Sequence, residues 1–323
     1  MKTFTKMVLG ASMVCAAFLA QAQPYPNKPI RLVVPFGAGG PSDALARAVG
    51  QSLTASMGQM VLVDNKPGAN TIIGADTVAK SPPDGYTLLL ATDATYSINP
   101  LVYSKLPYNP QKDLIPLVAV AHLPEYLMIG SQVPAKTLPE FIAYAKANPG
   151  KVTYGSFGIG SNAHLAGEAF KAATGIDMVH VPYKGAAEVI PAIVSGQIDA
   201  VFTSPNQALP FIKEGKMRAL GTSAPQRMAQ LPDVPTYIEQ GIKGLDVNVW
   251  FGFFAPANTP PQIVQQLSEQ IDKVVSSAEF RDRHLTPFAL VPAPAGQAYF
   301  EKILKADVDR YARYVKIANV KLD

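Results

Sequence analysis

Two stretches of this chain combine residue types that could do chemistry. Residues 35–43 read PFGAGGPSD, and residues 156–162 read SFGIGSN. In the first, Gly37, Gly39 and Gly40 follow an apolar, β-branched run, Ile30-Arg31-Leu32-Val33-Val34, and precede Ala44 to Val49, which has helical composition. Glycines in a strand-to-helix turn expose backbone N–H groups at a helix N-terminus, where negative charge is favoured. The second stretch repeats the design: a strand at 151–156, a turn Phe157-Gly158-Ile159-Gly160-Ser161, and a helix at 162–174. The chemistry expected of such a pair is a grip on one small anion from two sides.

Other chemistries fit these residues less well. Gly37-Ala38-Gly39 followed by Asp64 has the outline of a dinucleotide fingerprint, and Gly158-Ile159-Gly160 with Ala163 gives a second. The third small position of the first is Ser42, however, and exported proteins rarely meet such cofactors, so no cofactor is expected. Ser42, Ser156 and Ser161 are candidate nucleophiles and His164 a candidate base, yet no G-x-S-x-G elbow surrounds any of them. Ser42 and Ser161 are also placed to be helix N-caps. The four histidines, His122, His164, His180 and His284, have no metal-site spacing, and Cys15 is the only cysteine.

The elements that must position the glycine turns follow from the rest of the chain. Lys2 and Lys6, an apolar run from Met7 to Ala20, and Ala20-Gln21-Ala22 read as an export signal cleaved after Ala22. Cys15 leaves with it, so the mature chain is expected to hold no disulfide. The formal net charge of +4 includes the two leader lysines, and no dense Lys/Arg run follows, so nucleic acid is not an expected partner. Further strands are predicted at 60–63, 87–91, 178–181, 199–203 and 218–221. Helices are predicted at 43–57, 74–80, 138–147, 187–195, 261–276 and 296–318. Such alternation predicts parallel sheets covered by helices. Because the pattern restarts at residue 151, the fold class expected is α/β with two doubly wound lobes. Apolar extended runs at 117–129 and 247–255 would join them, giving one lobe from 23–122 with 249–323 and a second from 123–248. Ligands of open α/β sheets sit beyond the carboxyl ends of the strands, which here means the cleft between the lobes.

The segment YPNKPIRLVVPFGAGGPSD resembles the mature N-terminus of the Bug-type (Bordetella uptake gene) substrate-binding proteins of tripartite tricarboxylate transporters. The resemblance continues through DNKPGANTIIGADTVAKSPPDGYTLLLAT, ANPGKVTYGSFGIGSNAHLAGEAF, VHVPYKGAAEVIPAIVSGQIDAVF and WFGFFAPANTP, and covers essentially the whole mature chain. It implies a monomeric, non-enzymatic periplasmic receptor of the Venus-flytrap type. Such a receptor would deliver a small carboxylate to a two-subunit inner-membrane permease. An orphan receptor for a sensor kinase and a periplasmic ester hydrolase stand as alternatives.

The resemblance also implies where ligand sits. The first loop gives Phe36, Gly39, Gly40, Pro41, Ser42 and Asp43, and the second gives Ser156, Phe157, Ser161, Asn162 and His164. Thr92, Asp93 and Thr95 follow another strand of lobe one; Tyr183, Lys184, Thr203 and Ser204 follow strands of lobe two. The N–H groups from Gly39 to Asp43 and the Ser42 hydroxyl are expected to hold one carboxylate or its bridging waters. Ser156, Ser161 and Asn162 are expected to approach from the other side, with Phe36 and Phe157 as apolar walls. Asp43 is read as bracing the loop, Lys184 as solvated, and Asp93 as either receiving an ammonium or bracing its loop. Many relatives have prolines at Gly37-Ala38 and an Asp-Asn pair at Thr203-Ser204. The missing acid favours a second anionic group on the ligand, hence a dicarboxylate, with an aromatic one such as terephthalate the preferred case.

Overall fold

The computed structural model describes residues 25–322, so the export signal lies outside the described residues. Eleven strands form two sheets. The first contains β1 (Ile30–Val34), β2 (Val61–Asn65), β3 (Thr87–Thr92), β4 (Leu114–Pro124), β10 (Asn248–Pro256) and β11 (Val291–Pro292), in the order β11-β4-β10-β3-β1-β2. The second contains β5 (Tyr126–Gly130), β6 (Val152–Ser156), β7 (Met178–Pro182), β8 (Ala200–Thr203) and β9 (Met217–Thr222), in the order β7-β6-β8-β5-β9. Leu32, Val33 and Val34 of β1 and Leu88 to Ala91 of β3 are all but sealed from solvent. Burial on both faces explains why these strands read as unbroken apolar runs.

The sheets are mixed, which departs from the parallel sheets expected. Only β2-β1-β3 and β7-β6-β8 are parallel; β10 runs antiparallel to β3 and β4, and β5 runs antiparallel to β8 and β9. The reason is the crossing. β4 leaves the first sheet, passes through Glu125 and enters the second as β5. β10 makes the return passage, so both arrive against the direction of the local βα units. The run expected at 117–129 is therefore one extended path divided between two sheets.

The helices begin and end where local signals place them. α1 (Pro41–Met57) has proline at its first position, where a missing N–H costs nothing, and ends at Gly58 with φ 70°. α2 is Ile72–Ala79 and α3 is Leu138–Ala147. α4 (Asn162–Thr174) is capped by the Ser161 hydroxyl and stopped by Gly175 at φ 68°. α5 (Ala186–Val194) and α7 (Pro261–Val275) lie near their predicted positions, whereas α6 (Pro205–Lys213) was not anticipated from its two prolines. α8 (Gln297–Ala318) serves both lobes. Phe300 and Leu304 pack on the first sheet, while Tyr311 and Tyr314 join the core around the second. Among the described residues no helix is long and apolar enough to cross a membrane.

Candidate functional site

The two glycine loops leave the carboxyl ends of the parallel strands of their sheets. β1 and β3 are neighbours, so the loop at 35–40 and the turn from Asp93 leave the same edge of the first sheet. β6, β7 and β8 likewise send the loop at 157–161, Tyr183-Lys184 and Thr203-Ser204 from one edge of the second. The two edges touch: the Asn162 side-chain N–H, at the start of α4, donates to the Asp93 carboxylate at the end of β3, and the Tyr311 hydroxyl of α8 donates to the same oxygen.

The first loop is held from behind by Asp43. Its carboxylate is almost wholly buried and accepts the Gly39 N–H at 2.9 Å, Arg47 Nε at 3.0 Å and Asn65 Nδ2 at 3.0 Å. Arg47 foremost, then the Gly39 and Asn65 hydrogen bonds, hold it below the usual carboxylate range against the opposing cost of burial. Two consequences follow. Arg47 neutralises the charge that Asp43 would otherwise set against an incoming anion, and the Gly39 N–H is already spent. Of the N–H groups expected to face a ligand, those of Gly40, Ser42 and Asp43 have no protein partner among the described residues, and Pro41 has none to give. Among the described residues the Ser42 hydroxyl is also without a protein partner.

Among the described residues, the second loop leaves the N–H groups of Asn162 and Ala163 without protein partners, because the Ser161 hydroxyl accepts only that of His164, at 3.4 Å. Ser156 is buried and its hydroxyl accepts the Gly158 N–H at 3.2 Å, with His180 Nε2 at 2.6 Å. His164 is buried too, and its Nδ1 accepts the Gly160 N–H at 3.1 Å. Thr95 is turned inward to Thr71 at 2.9 Å. Thr92 and Thr203 end their strands and Ser204 follows, and among the described residues their hydroxyls have no protein partner. Phe36 and Phe157 are half-buried at the edges of the two cores. Tyr183 packs on the second core and donates its N–H to Ser156 O at 3.0 Å, and Lys184 is exposed.

Two acids were not both foreseen. Burial pushes Asp93 up to about 6, against the lowering pull of Tyr311, Arg310, Ala94 N–H and Asn162. Glu125, at the crossing between β4 and β5, is pushed up to about 8 by burial and by Asp93, and its Oε2 has no hydrogen-bond partner. Nothing local in the sequence marks Glu125, whose burial comes from the meeting of both sheets. A cavity of about 480 Å³ lies beside the crossing strands, lined among others by His122, Thr222, Trp250, Tyr299, Asp307 and Arg310. It contains none of the loop residues, and its charged groups pair with one another: Arg310 with Asp246 and Asp307, and His122 with Tyr299. Among the described residues no cluster of His, Cys, Asp or Glu could hold a metal ion.

A family model described as the tripartite tricarboxylate transporter family receptor matches residues 45–320. The chain belongs to this family. Protein BugT of Bordetella pertussis is 32% identical over 322 residues, covering 98% of this chain and 97% of BugT. Among solved structures, an R. palustris protein with adipate superposes with a TM-score of 0.82 at 30% identity, covering 92% of this chain and 99% of that one. MatC from Rhodopseudomonas palustris with bound malate gives 0.77 at 30% identity, covering 90% and 100%. The receptor is thus a Bug-type solute-binding protein with the two-lobed α/β fold, not an enzyme, and the hydrolase alternative falls.

Proposed function

We propose that this receptor captures a small dicarboxylate in the cleft between the two glycine loops and delivers it to a two-subunit permease. The carrying observation is the pair of helix N-termini, α1 and α4, each of which leaves two first-turn N–H groups, of Ser42 and Asp43 and of Asn162 and Ala163, without a protein partner among the described residues. Gly40, Ser42 and Asp43 N–H with Ser42 Oγ serve one carboxylate, directly or through water. Asn162 and Ala163 N–H, with Ser161 and Ser204, serve the other side. The adipate and malate held by two relatives are both dicarboxylates. Phe36 and Phe157 give the preferred ligand flat walls, which favours an aromatic dicarboxylate such as terephthalate. The receptor works as a monomer in the periplasm after cleavage at Ala22, with residues 23–122 and 249–323 as one lobe and 123–248 as the other. Contacts made to ligand by both lobes raise the population of the closed form, whose surface the permease reads.

A thermal-shift panel of adipate, malate, succinate, terephthalate, citrate and aspartate tests this reading. A ligand at a hundred times its Kd stabilises by about 2.7 kcal/mol, or about 4 °C for a chain of this size. Selective stabilisation by a dicarboxylate is expected. No response to any of them, with native mass spectrometry showing protein free of bound small molecules, would overturn it.

A further inference from the structure

Three rings stack behind the second glycine loop. Tyr154 of β6 lies on His180 of β7 with centroids 5.0 Å apart and planes at 28°, and His180 lies on His164 of α4 at 3.9 Å and 14°. Each imidazole holds one of the loop's glycines. Gly160, at φ 76°, donates its N–H to His164 Nδ1 at 3.1 Å. Gly158, at φ 120°, donates to Ser156 Oγ at 3.2 Å; that hydroxyl lies 2.6 Å from His180 Nε2 and is also placed to donate to Gly158 O at 3.1 Å. The direction at His164 is settled by chemistry. A backbone N–H can only donate, so Nδ1 must keep its lone pair and the ring proton must sit on Nε2. Protonation of that nitrogen removes the anchor of Gly160. Two rings in face-to-face contact also oppose charge on both.

We propose that His164, with His180 stacked on it, is a positioning residue that holds the second loop in its anion-receiving shape only while the His164 ring is neutral, so that acid unlocks the loop and releases ligand. The proposal rests on the reading that this loop receives a carboxylate.

The surroundings keep the pair neutral at ordinary pH. The charged and titratable groups facing it are Tyr154, Glu168 and Lys171. Glu168, held by the Tyr154 hydroxyl at 2.7 Å and by Lys171 at 3.0 Å, favours charge on both imidazoles, but burial outweighs it and the Lys171 charge opposes it. The far side of Gly160 faces Val102, Val320 and Leu322, which are apolar. Burial lowers His164, and burial with the neighbouring His164 takes His180 down to about 4.

Imidazole and backbone NMR of the ligand-free protein tests the proposal without needing a ligand. At pH 7, His164 should be the Nε2–H tautomer, and the amides of Gly158, Gly160 and Ser161 should shift together with the imidazoles as the pH falls toward about 4, where His180 titrates. His164 protonated on Nδ1 at pH 7, or loop amides that stay still while the imidazoles titrate, overturns it. Calorimetry with adipate, malate and terephthalate supplies the functional arm. His180→Phe keeps the stack and removes the ring nitrogen that fixes the Ser156 hydroxyl, and should weaken binding about tenfold, the scale of one hydrogen bond. His164→Ala should do the same, whereas His164→Asn keeps an acceptor that cannot titrate, and should recover part of the affinity and lose the acid transition. Full affinity in His180→Phe and His164→Ala counts against the proposal. If ligand-free wild type binds none of the three probes, the dicarboxylate reading fails while the NMR result still decides the role of the histidines.

Discussion

Replacing Asp43 by alanine should loosen the first glycine loop and lower both stability and affinity. The carboxylate is 4% exposed and accepts three hydrogen bonds, two from neutral donors and one from Arg47, whose side chain is 55% exposed. The ion pair by itself is worth little at that exposure. The buried acceptor matters more. A hydrogen bond to a charged group contributes about 1.5–3 kcal/mol, and a neutral donor left without its partner costs about 1–3 kcal/mol where water cannot reach it. Asn65 keeps its second acceptor, Phe36 O at 3.1 Å, and Gly39 is exposed enough to be rehydrated. The net loss is therefore about 2–3 kcal/mol. At about 2.1 cal/mol/K per residue over roughly 300 residues, the melting temperature falls by about 3–5 °C. The folded pKa lies below the unfolded value of 3.8, so this contribution is complete above that value and disappears as pH falls through the folded pKa. Calorimetric melts of the ligand-free proteins should show a constant gap from pH 5 to pH 8 that narrows below about pH 4. Ligand affinity should fall by about tenfold or more, because ordering each freed backbone residue on binding costs about 1–2 kcal/mol. Melting within 1 °C of wild type across that range, with unchanged affinity, would refute the bracing role.

Two further outcomes test the crossing and the core. Glu125 is buried with an unpartnered Oε2 and a folded pKa of about 8, above the ordinary 4.5, so the stability it contributes when protonated is lost as pH rises between those values. Glu125→Gln should gain on wild type by up to about 1.4 kcal/mol per pH unit across that window and hold a constant lead above it; parallel melting profiles at pH 5, 6.5 and 8 would contradict the burial argument. A Cβ on Gly252 would lie 2.2 Å from the Phe300 ring, which is sealed between Trp250 and Phe254. Gly252→Ala should cost about 1–3 kcal/mol by overpacking. Adding Phe300→Leu should recover part of the loss in denaturant unfolding; strictly additive losses would show that this contact is not the cause.

What the sequence determined by itself was local. Helix α4 begins at Asn162 and ends at Thr174 as read, because a serine cap and a left-handed glycine act within one turn of the chain. The βα alternation, its restart and the glycine turns were legible for the same reason, and together with the family motifs they were enough for the two-lobed fold. α6 escaped because Pro205 is a helix start while Pro210 reads as a breaker, a conflict that local signals do not resolve. The antiparallel entry of β5 and β10 belongs to the path between sheets, which no local period encodes. The site divides in the same way. Asp43, four residues from Gly39, reads as a brace from the sequence, and its carboxylate accepts the Gly39 N–H. His164 was expected beside ligand, and it was folding that set its Nδ1 on Gly160 and its ring on His180. Asp93, Asn162 and Tyr311 meet across separations of 69, 149 and 218 residues. Only the closing of two sheets around α8 brings such residues together, and the same closing withdraws Glu125 and Asp93 from water and so sets their proton affinities.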